Sequence, residues 1–261
     1  MNKRVAVILV NYNMPERTDA LCEHVAKHVR WPHALFVVDN GSDMVPPSKY
    51  TTCRLSPNRQ TTGGWLAGLE QARAEGPWLG YLFLITSAEF VPETDPLTPL
   101  AEMLLQDEAL VGVHPALTAD STSDWPHLFP VGVKPRQTWH MDNICALYRA
   151  DWFDGMGGFD PALTYAWGID LETGWKARRD GKKLMVHDGT RIKKISNIGY
   201  NMGRMGMNAA ERADFAGQEM RRVLGNKYGP LWWEKMTGEY ITFEMALPGE
   251  HRQRERISAW Y

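Results

Sequence analysis

Val5-Ala6-Val7-Ile8-Leu9-Val10 runs into Asn11-Tyr12-Asn13, and Ala34-Leu35-Phe36-Val37-Val38-Asp39 runs into Asn40-Gly41-Ser42. Each is a short apolar run, rich in β-branched residues, that stops at polar turn formers. A parallel strand covered on both faces reads this way, because neither face can be polar. Between the two, Pro15 to Val29 has helix-forming composition, with apolar residues at Leu21, Val25 and Val29. Strand, helix and strand within about 35 residues make one βαβ unit. In an open α/β sheet the ligand lies outside the carboxyl ends of the strands. Residues 11–13 and 39–42 fall at those ends, so the opening of the chain predicts a small-molecule site there.

The chain has 261 residues, 44% of them hydrophobic, enough for one large α/β domain or two small ones with a substantial core. A net charge of −2 makes no global electrostatic case for nucleic acid. No apolar run approaches the roughly 20 residues that span a bilayer. The N-terminus enters a strand directly, without the charged region and apolar core of a signal peptide, so a cytosolic protein is expected. The 3 cysteines (Cys22, Cys53, Cys145) are scattered and odd in number, which fits reduced thiols and not a Cys-rich zinc module. The chain has 11 Trp, several of them late: Trp152, Trp167, Trp175, Trp232 and Trp233. Two readings stand: core and edge packing, or an aromatic platform on which a sugar could stack.

Further along, residues 63–75 read as a helix, 80–85 as a strand, 97–105 as a helix and 109–113 as a short strand. Residues 115–140, rich in Pro, Ser, Thr, Asp and Trp, read as a long irregular segment, which in a compact domain is usually functional or mobile. Residues 141–148 read as a strand, 155–161 as a glycine-rich loop, 170–179 as a helix and 183–186 as a strand. From Met207 the chain turns helical and charged, and residues 250–256 form a polar charge run that reads as a solvated tail.

Several strings carry chemistry. Val38-Asp39-Asn40-Gly41-Ser42 places a carboxylate at a strand end, where it suits N–H and O–H donors or an Asx turn. Asn58 to Gly68 contains Gly63-Gly64 at a helix start, where a backbone can approach a phosphate. Ser87-Ala88-Glu89 follows the strand at 80–85, Gly157-Gly158-Phe159-Asp160 follows the strand at 141–148, and Trp167-Gly168-Ile169-Asp170-Leu171 precedes a helix. Taken in order over about residues 4 to 196, these strings resemble a family 2 glycosyltransferase, of the bacterial rhamnosyl- and polysaccharide-type group.

The resemblance implies a GT-A fold: a mostly parallel α/β sheet flanked by helices. Its nucleotide-binding half would cover residues 1–114 and its acceptor half 115–198, with 199–261 a helical C-terminal extension. It implies that Asn11, Tyr12, Asn13, Asp39, Asn40, Asn58, Gly63 and Gly64 line a nucleotide-diphospho-sugar of UDP or dTDP type. Ser87 and Glu89 would face the diphosphate. The family's Asp-x-Asp motif holds a divalent metal at that point, and here only Glu89 offers a hard-cation ligand. Either a weak Mn²⁺ or Mg²⁺ site or metal-independence follows. In the second case Arg191, Lys193 and Lys194, beyond an early His187, would neutralise the diphosphate, unless they are a solvated strand edge. Gln60 and Leu66 stand where the family has Gly and Asn. Asp160 and Trp167 would shape the acceptor side. Asp170, retained where the family's Glu-Asp pair is replaced by Trp167-Gly168, would be the general base or a helix cap, with Glu172 as the alternative base.

The leading expectation is an inverting transfer of a sugar to a glycan or other hydroxyl acceptor. A noncatalytic glycan- or nucleotide-binding descendant is the second reading. A transferase acting on modified viral DNA is a third, for which Arg204, Arg212, Arg221, Arg222 and Lys227 are the basic residues. The Arg221 and Arg222 segment also allows peripheral contact with anionic lipid. The Met-rich residues Met202, Met205 and Met207, and residues 228–233, read as a helical cover or as a closure over the acceptor.

Overall fold

The computed structural model describes residues 3–123, 125–195 and 208–237. Strand β1 (Val5–Asn11) is buried along its whole length and pairs in parallel with β2 (His33–Asp39), Val5 opposite His33 and Asn11 opposite Asp39. Helix α1 (Pro15–His28) connects them and opens on a proline, whose missing N–H would have had no helical partner at that position. On its other side β1 pairs in parallel with β4 (Gly80–Ile85).

The remaining strands are β3 (Cys53–Arg54), β5 (Ala88–Phe90), β6 (Leu110–Leu117), β7 (Pro135–Thr138), β8 (Cys145–Arg149) and β9 (Lys183–Lys194). They form a 9-stranded sheet in the order β3-β2-β1-β4-β8-β6-β9-β5, with β7 paired to β9. β8 runs antiparallel to both β4 and β6, so β6 points the same way as β4, and β9 is parallel to β6. The carboxyl ends of β1, β2, β4 and β6 therefore share one edge of the sheet.

The helices α2 (Gln60–Ala74), α3 (Thr98–Gln106), α4 (Ala150–Gly155), α5 (Ile169–Arg179) and α6 (Ala209–Tyr228) cover the sheet together with α1. Side chains alternate across a strand, and β1 divides accordingly. Val5, Val7 and Leu9 pack with Leu21 and Val25 of α1 and Leu100 and Leu104 of α3. Ala6, Ile8 and Val10 pack in the second core with Trp65 and Leu69 of α2, Phe153 of α4, Ile169 of α5 and Leu224 of α6. At its centre Phe83 lies 4.6 Å from Phe159 and 5.2 Å from Phe153, ring centroid to centroid.

Several elements differ from the sequence reading. Strand β9 continues to Lys194, not Val186, because the end of β6 and β5 pair with its polar second half. Within 115–140, β6 runs to Leu117, a 3₁₀ turn spans Pro126–Leu128 and β7 follows. Residues 141–144 precede β8 as loop, and α2 starts at Gln60, ahead of Gly63. The charge run at 250–256, and Met202, Arg204, Met205 and Met207, lie outside the described residues.

The α2 glycines have a packing cause. A Cβ on Gly64 would stand 2.7 Å from Val10 Cγ1, and one on Gly68 2.5 Å from Ile8 Cγ2. Glycine at these positions lets α2 lie directly on β1. Gly68→Val is expected to lower stability by about 1–3 kcal/mol, as overpacking does. Gly132→Ala, where an added Cβ meets nothing within 4 Å, should stay within about 0.5 kcal/mol. Urea unfolding midpoints of the two variants check this, and equal midpoints would overturn the packing account.

Candidate functional site

The ends of β1 and β2 are tied together by their own polar side chains. Asn11 Nδ2 donates to Asp39 Oδ1 at 3.1 Å, the Ser42 N–H donates to Asp39 Oδ2 at 3.2 Å, and Arg54 Nε lies 3.3 Å from Oδ2. Asp39 is 0% exposed. The carboxylate expected to meet a nucleotide is thus enclosed, and Arg54, with a 58% exposed side chain, is the charged group it presents outward. Asn13, at φ 55°, accepts the N–H groups of Asp43 and Met44 through Oδ1. Asn40 donates to Asn58 Oδ1 and Gln60 O and accepts from the Arg59 N–H. These amides hold the loops that border the edge. Tyr12 is half-buried among them.

The start of α2 is less open than its glycines suggest. The Gln60 N–H donates to Asn58 Oδ1 (2.7 Å) and the Thr62 N–H to Thr164 O (3.2 Å). Two first-turn amides beside Gly63-Gly64 are therefore spent on the protein. Gln60 has φ 59°. That left-handed conformation favours glycine, which is the residue the resemblance leads one to expect there.

Ser87 and Glu89 flank the start of β5, a strand too short for periodicity to reveal. The Glu89 side chain is 53% exposed, faces Lys193 across the β5–β9 pair, and has Arg17 Nη2 4.0 Å away. Arg17 Nε donates to Thr86 O at 2.7 Å, so a guanidinium occupies the turn where the resemblance puts a metal. Among the described residues, no group of three or more His, Cys, Asp or Glu converges as ligands. One exposed carboxylate beside a fixed cation does not fit a hard divalent ion, which wants several oxygens.

The basic residues of β9 do not converge either. Lys193 pairs with Asp120 at 2.6 Å, Lys194 with Asp142 at 2.6 Å, and Arg191 donates to backbone oxygens of Asp188 and Gly132. Successive residues of a strand point to opposite faces, so Lys193 and Lys194 serve different surroundings.

Lys194 belongs to a polar cluster at the carboxyl end of β6 and the mouth of β8. His140 Nε2 lies 2.9 Å from Asp170 Oδ2, and His140 Nδ1 lies 3.2 Å from His127 Nε2. Asp142 sits near His114 and His140. Burial alone would raise its carboxyl, but the Lys194 ammonium and the two imidazoles outweigh this and hold it below the usual range. Burial pushes the His114 imidazole down to about 4, and its Nε2 makes no hydrogen bond among the described residues. Tyr148 donates to Asn143 Oδ1 at 2.9 Å. Sequence reading missed His114, His127, His140, Asp142 and Asn143 because they come from β6 and residues 125–143, with no shared spacing. Asp170 has a side chain 16% exposed and stands in the first turn of α5. It is not the helix cap: that position is Gly168, at φ 85°, where a Cβ would press on Met220 and Leu224 of α6.

Glu172 is buried and committed. It accepts from Lys227 Nζ (2.6 Å) and Tyr228 OH, and Lys176 Nζ lies 3.5 Å away. Lys227 also holds Asp160 at 2.7 Å. Despite partial burial, these two carboxylates push the Lys227 ammonium up. Glu219 accepts from Thr164 Oγ1 and the Tyr165 N–H. Helix α6 thereby grips the 160–168 loop, which carries half-buried Trp167 and leads to Asp170. Gly157 (φ 91°) and Gly158 (φ 71°) are left-handed, so that turn requires glycine.

No protein-family model and no curated protein sequence matches the chain. Among solved structures it is similar to the crystal structure of GalNAc-T7 with UDP, GalNAc and Mn²⁺, at TM-score 0.67 and 14% identity. The match covers 97% of this chain and 54% of that one, so the chain spans about half the neighbour's length. The fold is GT-A: a central sheet flanked by helices, mixed rather than mostly parallel, with four parallel and four antiparallel strand pairings among the described residues. Among the described residues no helix is long and apolar enough to cross a membrane.

His114 gives the cluster a pH signature. Its folded value, about 4, lies below the unfolded value of about 6.5. The unfolded chain therefore takes the proton first as pH falls. The stability from neutral His114 is complete above pH ~6.5 and is lost toward pH ~4, at up to about 1.4 kcal/mol per pH unit. Urea unfolding at pH 7, 6 and 5 should show a shallower loss in His114→Asn than in the wild type. Identical slopes would refute it.

Proposed function

We propose that the chain is a glycosyltransferase that moves a sugar from a nucleotide-diphospho-sugar, of UDP or dTDP type, to an acceptor hydroxyl. The observation that carries this reading is a partly exposed carboxylate, Asp170, at the carboxyl-end edge of a GT-A sheet. In such sheets small ligands bind at that edge. The nucleotide would lie along the Asn11–Asn13 and Asn40 loops, with Arg54 the exposed cation beside enclosed Asp39. Glu172 is held by Lys227, Tyr228 and Lys176, which leaves Asp170 as the base.

In this mechanism Asp170 takes the acceptor hydroxyl proton. The oxygen attacks the anomeric carbon, forming the new C–O bond with inversion. The bond to the diphosphate breaks, and its electron pair leaves with that group. The neighbouring structure contains Mn²⁺, but the donor set at Ser87 and Glu89 does not fit a divalent ion, and no step here runs through one. The leaving group's charge would be met by cations of the chain, among them Arg17, which donates to Thr86 O at the β4 end and lies 4.0 Å from Glu89.

A noncatalytic sugar- or nucleotide-binding protein is the second reading, favoured by the enclosed Asp39 and the incomplete metal donors. The DNA-acceptor reading loses one of its basic residues, since Lys227 is committed to Asp160 and Glu172.

Calorimetry with UDP, dTDP and GDP, each with Mn²⁺ and with EDTA, tests the donor side. Binding of one nucleotide, equal in EDTA, is expected; strict Mn²⁺ dependence would overturn the metal-free reading. No binding of any would sink the donor assignment. Asp170→Asn should lower transfer or hydrolysis of the matching nucleotide-sugar by about 10²–10⁴ and leave nucleotide binding within a factor of about 3. Unchanged turnover would remove Asp170 as the base.

A further inference from the structure

His140 is 0% exposed and His127 is 9% exposed, yet hydrogen-bond distances link them in sequence to Asp170, whose side chain is 16% exposed. We propose that His127 and His140 are positioning residues for Asp170, forming a hydrogen-bond chain of fixed direction that aims its carboxylate at the cleft. The inference rests on the reading of Asp170 as the base.

The direction follows from donor chemistry. An ionised carboxylate can only accept, so His140 Nε2 must carry the hydrogen that bridges 2.9 Å to Asp170 Oδ2. In a neutral ring the other nitrogen is then an acceptor. His140 Nδ1 must take its hydrogen from His127 Nε2, 3.2 Å away. Asp170 Oδ1 meanwhile accepts the Leu171 N–H at 2.9 Å. Both carboxylate oxygens are thus oriented, in a side chain that is 16% exposed.

The surroundings hold the chain rather than merely permit it. Trp125 and Trp139 have ring centroids 4.2 and 5.0 Å from that of His140, and Trp139 is 5.1 Å from His127. Arg178 Nη1 on α5 donates to Trp139 O at 2.6 Å, and Thr138 Oγ1 donates to His140 O at 3.0 Å. A Cβ on Gly174 of α5 would lie 2.6 Å from Trp139 O, so glycine there admits the 139–140 backbone against the helix that carries Asp170. Among the described residues, the other titratable or charged groups near the cluster include His114, Asp142, Lys194, Tyr148 and Arg178, with Asp142 and Lys194 paired to each other. The long 115–140 segment therefore has a use: it brings His127 and His140 behind α5.

The ring nitrogens can be observed directly. In uniformly ¹⁵N-labelled wild-type protein, imidazole nitrogen–proton correlations at pH 7.5, assigned with His140→Gln, should show His140 as the Nε2–H tautomer. Asp170→Ala should shift those resonances. The Nδ1–H tautomer, or a ring protonated on both nitrogens, overturns the chain. Hydrolysis of UDP-glucose, with water as acceptor, gives the functional arm. His140→Phe should lower kcat by about tenfold or more with KM unchanged. His140→Gln, whose amide can still donate to Asp170, should recover most of it. Wild-type kcat in His140→Phe overturns the positioning role. If the wild type hydrolyses no UDP-glucose, that failure belongs to the donor reading, and the tautomer measurement still decides whether the chain exists.

Discussion

The antiparallel insertion of β8 between β4 and β6 is the constraint from which the site follows. Two parallel strands cannot be neighbours of one strand running the other way unless its N-terminal end meets their carboxyl ends. Cys145 stands opposite Leu84, and the Ile85 N–H donates to Ile144 O. The approach to β8, residues 139–144, is thereby fixed at the edge where β1, β2, β4 and β6 all finish. That places His140, Asp142 and Asn143 beside the first turn of α5. The anchor is apolar: Tyr148 of β8 and Phe83 of β4 lie in one aromatic core with Phe153 and Phe159.

Charge at this edge is largely compensated within the protein. Asp39 has Asn11, Ser42 and Arg54; Asp142 has Lys194; Glu172 has Lys227 and Tyr228. A buried carboxylate without such partners would be strongly unfavourable. Asp170 differs in its partner, an imidazole rather than an ammonium or guanidinium. A carboxylate held by a strong permanent cation is a weaker proton acceptor, so the partner type itself separates Asp170 from its neighbours.

Helix α6 shows how a segment outside the sheet shapes the site. Its Met220, Val223 and Leu224 are buried in the same core as Trp65 and Phe83. Lys227 bridges Asp160 and Glu172 from opposite ends of the loop that leads into α5. Gly168 leaves room for Met220 and Leu224. The Trp167-Gly168 pair, which replaces two carboxylates of the resembled motif, thus has a local packing reason for its glycine.

Apolar runs with abrupt polar ends determined the βαβ opening, the main helices and the edge on which a site should lie, because burial on two faces leaves a composition that no surface segment shares. Left-handed turns were legible as Gly157-Gly158, since only glycine adopts them freely. The polar half of β9 and the short β5 were not legible, because their pairing depends on strands far away in the chain. Nor was the fate of individual polar residues. Asp39 could be read as a ligand or an Asx turn, and Lys193 as a diphosphate cation or a solvated edge; hydrogen bonds and ion pairs enclosed Asp39 and set Glu89 and Lys193 against Arg17 and Asp120. Only the tertiary structure decided that His127, His140 and Asp170, from a loop and a helix with no common spacing, stand in line, since side-chain convergence is a property of packed elements and not of sequence distance.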